Sequence, residues 1–314
     1  MKIKDHLLRT GKKSNKRIEI ISNAGNPLKI PKEWRPVLSS CDMLVVIPDM
    51  HLYIRNSPQD NFKFGAEAML SFLDYLGTLK QEFELKNKAL RVYQVGDVYE
   101  MRFPSLAHPQ LNASAAEIRM SHPDYDLIVN MMDHLRTHML YGNHDFELRH
   151  FPSFRFGAVE GKVYLEHGFA ASPWSENPAH PLWEPAQLGF KLLRDIESFF
   201  LNLAVSANVI SQDEHFALGV TDGSVERDDY PSDDDYPEAQ KSYYVKRMES
   251  HPEAEDIRIT IIGHTHHPHL AADIRANGEG HIFVDAGAWS EGRSDFAVIT
   301  DEEAAICHYK RRVP

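Results

Sequence analysis

The chain has 314 residues, of which 42% are hydrophobic and 25% charged, so it can bury a sizeable core as an ordinary globular protein does. Its formal net charge is -12, which excludes a general electrostatic attraction to nucleic acid, and no nucleic-acid-binding patch is evident. No apolar run approaches the about 18 residues of a membrane span, and no signal peptide is recognisable, so a cytoplasmic location is expected. The two cysteines, Cys41 and Cys307, cannot form a disulfide framework.

Short apolar runs rich in β-branched residues recur along the chain, and such runs are typical of buried strands. On this basis we predict strands over 44–47, 92–95, 138–141, 163–166, 259–262, 282–285, 296–299 and 305–309.

Apolar residues at helical spacing lie between several of these runs. They predict helices over 60–86, 125–135 and 187–205. Strands that alternate with helices favour an α/β fold with buried sheets. We therefore expect a four-layer α/β/β/α sandwich that forms a single domain over residues 1–314.

The region of about 170–255 differs in composition from the rest of the chain. A loop that contains proline and tryptophan opens it, and an acidic stretch over 226–238 follows the predicted helix. Runs of like charge repel one another and stay hydrated, which favours a solvated loop there. Because the region lies between two strands that carry polar motifs, we interpret it as an inserted, cap-like segment.

Five of the predicted strands lead directly into side chains that commonly bind metals. The candidate ligands are Asp49, His51, Asp97, Asn143, His167, His264 and His266. Open α/β sheets place their sites at the carboxyl ends of strands, so these loops are expected to converge.

The spacing of the candidates supports a shared site. Asp49 and His51 are two residues apart, as are His264 and His266, and in extended backbone both members of such a pair leave the same face. Gly263 is expected to relieve the tight turn before the second pair. The carboxylate of Asp97 has two oxygens and is therefore suited to bridge two cations.

Nitrogen and oxygen ligands without thiolate suit transition-metal cations. We expect two divalent ions, Mn²⁺ first, with Fe, Zn, Ni or Co as alternatives. Two such ions about 3.5–4 Å apart activate a water molecule to hydroxide and offset the negative charge of phosphoester hydrolysis. His144 is the natural general acid for the leaving oxygen, and Asp145 is expected to orient its imidazole.

These residues resemble the calcineurin-like metallophosphoesterase family, whose pattern is Asp-x-His, Gly-Asp, Gly-Asn-His-Asp/Glu, a lone His and Gly-His-x-His. The resemblance spans roughly residues 43–300, with the inserted segment excepted, and implies the four-layer sandwich and a dinuclear centre. It implies that one ion is held by Asp49, His51 and His266, the other by Asn143, His167 and His264, with Asp97 as the bridge and His144 as the acid.

The chain departs from the family pattern at several positions. Pro48 stands where the first motif usually has glycine, and the Asp-Arg-Gly of protein phosphatases is absent after Asp97, which argues against protein phosphatase activity. The Gly-Asp-Val-Tyr-Glu sequence is similar to the UDP-diacylglucosamine pyrophosphohydrolase branch. That branch usually has Arg at the position of His144, and His-Gly-Asp where this chain has 167–169.

Residues that follow the motifs are candidates for substrate contact. We predict Tyr99, Glu100 and Arg149 as substrate-binding residues, the last because a guanidinium can clamp a phosphate through two hydrogen bonds. The segment 285–289 follows a predicted strand, and its backbone is expected to close one wall of the site.

The expected function is therefore metal-dependent hydrolysis of a small phosphorylated substrate. A phosphodiester or a pyrophosphate ranks narrowly above a phosphomonoester. One alternative is a non-catalytic scaffold of the same fold that binds protein partners, but such scaffolds lose ligand residues and this chain keeps the full set. A mononuclear zinc hydrolase needs only three protein ligands, whereas two groups of candidates occur here.

Overall fold

The structure is a computed structural model, and it describes residues 1–7, 9–10, 13–14, 17–55, 57, 60, 62, 65–101, 113–169, 256–274, 280–290 and 292–310. The predicted inserted segment of about 170–255, with the predicted helix over 187–205, lies outside the described residues. Among the described helices, none has the length and apolar character needed to cross a membrane.

The elements are numbered in chain order within the described residues. The α-helices are α1 (Ile3–Leu7), α2 (Ala66–Glu84), α3 (Ala115–Met120) and α4 (Pro123–His134). Short 3-10 helices lie at Asn23–Gly25, Lys32–Trp34 and Phe146–His150.

The strands fall into one small and two large sheets. They are β1 (Arg9–Thr10), β2 (Lys13–Ser14), β3 (Ile18–Ile20), β4 (Leu28–Lys29), β5 (Met43–Ile47), β6 (Leu90–Val95), β7 (His138–Leu140), β8 (Phe154–Arg155), β9 (Gly157–Glu160), β10 (Val163–Glu166), β11 (Ile259–Ile262), β12 (His269–Ile274), β13 (Gly280–Asp285), β14 (Asp295–Thr300) and β15 (Glu303–Tyr309).

The eight-stranded sheet has the order β3-β15-β14-β5-β6-β7-β8, and β4 also pairs with β15. Strands β5, β6, β7 and β8 are parallel, whereas β14 runs antiparallel to β5. The five-stranded sheet has the order β12-β13-β11-β10-β9, in which β10, β11 and β13 are parallel. The carboxyl ends of parallel strands therefore gather along one edge of each sheet.

Strand β5 shows how the two sheets are packed. All five of its residues are buried, and they alternate between two hydrophobic clusters. Met43 and Val45 join a cluster with α2 and α4, whereas Leu44 and Val46 join a cluster with β10, β11 and β13. One face of the large sheet is thus covered by helices and the other by the second sheet, which explains the continuous apolar run.

Helix α2 covers the large sheet because its apolar residues repeat every three or four positions. Met69, Phe72, Leu76 and Leu79 are all buried in the helix-side cluster. Helix α4 packs beside it and begins with Pro at its first position, where the missing N–H costs no hydrogen bond.

A buried carboxylate ties the loop before β5 to the second sheet. Oε1 of Glu160, on β9, accepts hydrogen bonds from the backbone amides of Ser39 and Ser40 at 3.2 and 2.8 Å and from both hydroxyls at 3.0 and 2.6 Å. Oε2 accepts from Arg91 at 2.7 Å. Burial opposes ionisation of Glu160, but these donors outweigh it and lower its pKa.

The predicted α/β class is confirmed, and each of the eight predicted strands corresponds to an observed strand. The predicted helices over 60–86 and 125–135 are shorter, at Ala66–Glu84 and Pro123–His134. The described residues supply three of the four expected layers, namely the helices and the two sheets.

Candidate metal centre

The candidate ligands lie on loops that leave the carboxyl ends of the parallel strands. Asp49 and His51 follow β5, Asp97 follows β6, and Asn143 follows β7 in the large sheet. His167 follows β10, and both His264 and His266 follow β11 in the second sheet. Because the sheets face each other, the two sets of loops meet at one end of the sandwich.

The first cluster is formed by Asp49, His51 and His266, whose ligand atoms lie within 4.8 Å of one another. Nε2 of His266 lies 3.3 Å from Oδ2 of Asp49, and Nε2 of His51 lies 3.8 Å from the same oxygen. The Nε2 atoms of the two histidines are 3.1 Å apart. Imidazole nitrogens and a carboxylate oxygen thus converge on one small volume, which suits a shared cation.

Asp97, His167 and His264 form the second cluster, again within 4.8 Å. Nε2 of His167 lies 3.1 Å from Oδ2 of Asp97 and 3.2 Å from Oδ2 of Asp49. The rings of His167 and His264 have centroids 4.8 Å apart. Since His167 reaches both carboxylates and Asp97 also lies 3.8 Å from His51, the two clusters are contiguous.

Asn143 supplies an observation that favours a ligand. Its side chain is buried, with 4% of its surface exposed, and its Oδ1 accepts no hydrogen bond within the described residues. A buried amide oxygen without a partner loses about 1–3 kcal/mol of hydration that nothing replaces. A bound cation is a partner that could satisfy such an oxygen, so the residues present fit a metal centre.

The backbone at four candidate ligands adopts left-handed conformations. His51 has φ of 51°, Asp97 of 50°, His264 of 74° and His266 of 60°. Each such residue costs about 1–2 kcal/mol relative to the right-handed conformation, and such strain is concentrated at functional sites. The expectation of extended backbone for the two histidine-bearing pairs is wrong, because left-handed turns rather than a strand direct these side chains.

Two motif glycines provide room for side chains from other motifs. A Cβ at Gly96, where φ is 101°, would lie 2.6 Å from Cδ2 of His167. A Cβ at Gly142 would overlap the carboxylate of Asp97. The motifs therefore require glycine because the ligand side chains pack directly against the neighbouring backbone.

Asp49 is held rigidly by the loop that carries the last two histidines. Both of its carboxylate oxygens accept from the backbone N–H of His264 at 3.0 Å. A Cβ at Gly263 would overlap the same carboxylate. Gly263 is therefore needed for space rather than for a left-handed conformation, and the positive φ values of this segment belong to His264 and His266.

His144 is half-exposed beside the clusters, with 32% of its side chain accessible. Its backbone N–H donates to Oδ1 of Asp97 at 2.8 Å, and its ring Nδ1 lies 2.8 Å from Oε1 of Glu100. Oε2 of Glu100 lies 2.7 Å from the same nitrogen and 3.0 Å from Nδ1 of His51. One buried carboxylate thus orients a candidate ligand and the candidate acid together.

The predicted role of Asp145 is wrong. Both of its oxygens are used by backbone amides: Gly142 donates to Oδ1 at 2.6 Å, and Val98 donates to Oδ2 at 2.8 Å. Asp145 therefore fixes two motif loops against each other. Glu100, not Asp145, contacts the ring of His144.

The three residues predicted to bind substrate have other surroundings. Tyr99 is 3% exposed and its side chain belongs to the helix-side hydrophobic cluster. Arg149 is exposed, donates to the carbonyl of Phe146 at 3.0 Å and stacks 4.0 Å over its ring. Glu100 is 3% exposed and contacts histidines. The structure thus gives Tyr99 a packing role, Arg149 a place on the Phe146–His150 helix, and Glu100 an orienting role.

The buried carboxylates differ in protonation. Burial opposes ionisation of Asp49, but His167 and His266 outweigh it and lower the pKa of that carboxyl. The pKa of Asp97 is likewise lowered by His167 and His144 against the effect of burial. Burial, together with the charge of Asp97, raises the pKa of Asp145 to about 7. The two carboxylates in the clusters are thus held ionised, as metal ligands must be.

The segment that follows β13 contacts the loop that carries Asp49 through its backbone. The N–H of Trp289 donates to the carbonyl of Asp49 at 2.7 Å, and Ala288 forms an isolated bridge with Asp49. Arg293 also belongs to this site but to none of the sequence motifs, and its Nη1 donates to the carbonyl of His266 at 2.6 Å. Nothing in the sequence pattern points to that contact, because it joins two loops.

A comparison with protein-family models found no match, and neither did a comparison with curated proteins. Three solved structures that align with the chain have names that refer to phosphoesterases or nucleotidases. A conserved uncharacterised protein of Streptococcus pneumoniae, described as a predicted phosphoesterase, is 11% identical with a TM-score of 0.31, over 85% of this chain and 88% of its own.

The other two are nucleotidases. The NAD nucleotidase of Haemophilus influenzae is 11% identical with a TM-score of 0.32, over 90% of this chain and 49% of its own. A 5′-nucleotidase precursor of Thermus thermophilus is 13% identical with a TM-score of 0.30, over 84% of this chain and 53% of its own. The chain thus spans about half the length of these two nucleotidases. All three TM-scores are below 0.5, so the function is inferred from the geometry of the site itself.

Proposed function

We propose that the protein hydrolyses phosphate esters with two divalent metal ions held at the two contiguous clusters. The observation that carries the proposal is the convergence of carboxylates and imidazoles from five separate loops at one end of the sandwich. Burial of several ionisable groups at one place costs hydration free energy, and such convergence is typical of sites that bind a ligand.

Each candidate ligand has a place in this proposal. Asp49, His51 and His266 would hold one ion, and Asn143, His167 and His264 the other. Asp97 would serve both, since its Oδ2 faces His167 and His51. Bound ions there would acidify a water molecule and offset the negative charge that develops on the phosphoryl group. Mn²⁺ is our first choice, because the donors are nitrogen and oxygen without thiolate.

His144 is the residue that we assign as the general acid. Its contact with Glu100 through Nδ1 fixes the ring and places Nε2 on the side away from that carboxylate. The carboxylate of Glu100 is ionised, since His144 and His51 lower its pKa to about 2 against the effect of burial, and it can accept a hydrogen bond from Nδ1 of His144. A proton held at Nε2 can then be given to the leaving oxygen of the ester.

The substrate that we propose is a small phosphodiester or pyrophosphate, with a phosphomonoester as the next choice. The strongly acidic net charge argues against a polyanionic nucleic acid as the substrate. A non-catalytic scaffold is the second candidate, and the half-exposed His144 beside an intact ligand set argues against it.

The test is hydrolysis of bis-p-nitrophenyl phosphate and p-nitrophenyl phosphate by metal-stripped protein before and after addition of Mn²⁺. We expect turnover that requires the metal, prefers the diester and falls by about 10²–10⁴-fold in His144→Ala. His134→Ala, which removes an exposed histidine at the end of α4, is the matched control and should keep wild-type turnover. A protein that binds Mn²⁺ but hydrolyses neither ester would favour the scaffold.

A further inference from the structure

The loop between β13 and β14 contacts two of the loops that carry candidate ligands. Trp289 donates its N–H to the carbonyl of Asp49 at 2.7 Å, close to the start of the loop. Arg293, close to its end, donates from Nη1 to the carbonyl of His266 at 2.6 Å. The same loop therefore holds both protein segments of the first cluster.

Arg293 is suited to fix a strained turn. It is 9% exposed, so its hydrogen bond to the His266 carbonyl competes little with water. The turn over 264–266 has left-handed φ values at both histidines, of 74° and 60°. A turn of this kind persists only when surrounding contacts over-determine it. A charge-assisted bond is among the strongest contacts that a single side chain can supply.

A second contact anchors the same turn from the other end of the loop. Oγ1 of Thr265 donates to Oδ2 of Asp285 at 2.5 Å, and Oδ1 of Asp285 accepts from the N–H of Gly287 at 3.0 Å. The hydrogen bond between Thr265 and Asp285 holds the centre of the turn, whereas the hydrogen bond from Arg293 holds its end at His266. Loss of Arg293 is therefore expected to change the conformation of His266 more than the conformation of His264.

We propose that Arg293 is a positioning residue that fixes the metal-binding conformation of His266. The inference rests on the proposed function, since it concerns the same two-ion centre. Loss of the guanidinium would remove this charge-assisted hydrogen bond to the carbonyl of His266 and would let the turn relax toward ordinary φ values. His266 would then leave the first cluster, while the ligands of the second cluster stay in place.

Titration of metal-stripped protein with Mn²⁺ by calorimetry tests this directly. We expect Arg293→Met to bind one Mn²⁺ with wild-type affinity and the other about 10–100-fold more weakly, the range found when partners of metal ligands are removed. Arg293→Lys keeps the charge and one donor, so it should recover most of the affinity. The absorption spectrum of the Co²⁺-loaded protein should change in Arg293→Met and return toward wild type in Arg293→Lys.

Arg35→Met is the matched control, because Arg35 also donates to a backbone carbonyl, that of Ile30 at 2.8 Å, but lies before β5 and away from the clusters. It should bind both ions as wild type does. A folded Arg293→Met variant with both Mn²⁺ dissociation constants within twofold of wild type would overturn the role of Arg293 but not the proposed function. If that variant does not fold, Arg293→Gln, which also lacks the charge, decides by the same twofold criterion. Wild-type protein that binds no Mn²⁺ overturns both proposals.

Discussion

Replacement of Glu100 by glutamine tests how the two histidines beside the metal centre are oriented. Oε2 of the carboxylate lies 3.0 Å from Nδ1 of His51 and 2.7 Å from Nδ1 of His144, and Oε1 lies 2.8 Å from Nδ1 of His144. A glutamine amide is neutral and has a single oxygen, so it cannot reproduce these contacts with a charged acceptor. The substitution therefore removes a charge-assisted hydrogen bond from at least one of the two imidazoles.

Such a bond contributes about 1.5–3 kcal/mol, which corresponds to about 10–150-fold in rate at 1.36 kcal/mol per tenfold. We expect Glu100→Gln to lower kcat/KM for bis-p-nitrophenyl phosphate by about 10–100-fold, and to weaken binding of one Mn²⁺ in the range typical for partners of metal ligands. Glu100→Ala removes both acceptors and should reduce the rate further.

Glu117→Gln is the control, because Glu117 is an exposed capping residue of α3 and lies outside the site. It should leave turnover and Mn²⁺ binding unchanged. If folded Glu100→Gln protein turned over the diester within threefold of wild type and bound both ions as tightly, the orienting role of Glu100 would be refuted.

Three further perturbations follow from the structure. Gly142→Ala would place a Cβ against the Asp97 carboxylate, so it should abolish binding of at least one Mn²⁺ and lower the free energy of unfolding by about 1–3 kcal/mol. Gly77→Ala is the control in the same urea titrations. Its Cβ would have its nearest contact at 3.9 Å, so it should raise the free energy of unfolding by about 0.5–1 kcal/mol. Arg149→Ala should leave KM for the diester within twofold of wild type, since its guanidinium contacts Phe146, and a tenfold rise in KM would contradict this. Glu160 has a lowered pKa in the folded protein, so the stability it contributes is full above its unfolded pKa of about 4.3 and is lost as pH falls through the folded value. Glu160→Gln should therefore lower the free energy of unfolding by about 1.5–3 kcal/mol at pH 7. The variant should also lose less stability than the wild type between pH 5 and pH 3. Urea midpoints equal to those of the wild type over that range would contradict this prediction.

The sequence was sufficient to predict the strands that carry the site. Runs such as Met43–Ile47 and Ile259–Ile262 are buried on both faces, so their composition alone distinguishes them from loops. The edge strands β8 and β9 were missed because they are short and partly exposed, and their residues show no clear alternation. The predicted parallel strands also placed the candidate metal ligands at one edge of the sheets, because parallel strands have their carboxyl ends on the same side.

The spacing of residues in the sequence could not predict the contacts between loops. Asp145 lies next to His144 in the chain, and adjacency suggested that it orients the imidazole, yet it binds the amides of Gly142 and Val98. Glu100 takes that place because the segment after β6 passes alongside the segment after β7. The left-handed φ of non-glycine residues such as His51 could not be predicted from the sequence either, since the surrounding structure imposes it.

The central claim is that two ions share one centre, and the most direct measurement is the electron paramagnetic resonance spectrum of metal-stripped protein loaded with Mn²⁺. The proposal predicts two Mn²⁺ ions per chain with a spin-coupled signal, because Asp97 faces both clusters. In Asp97→Asn the coupled signal should disappear and the stoichiometry should fall below two. Wild-type protein with no bound Mn²⁺, or with a single uncoupled ion that Asp97→Asn leaves unchanged, would contradict the claim.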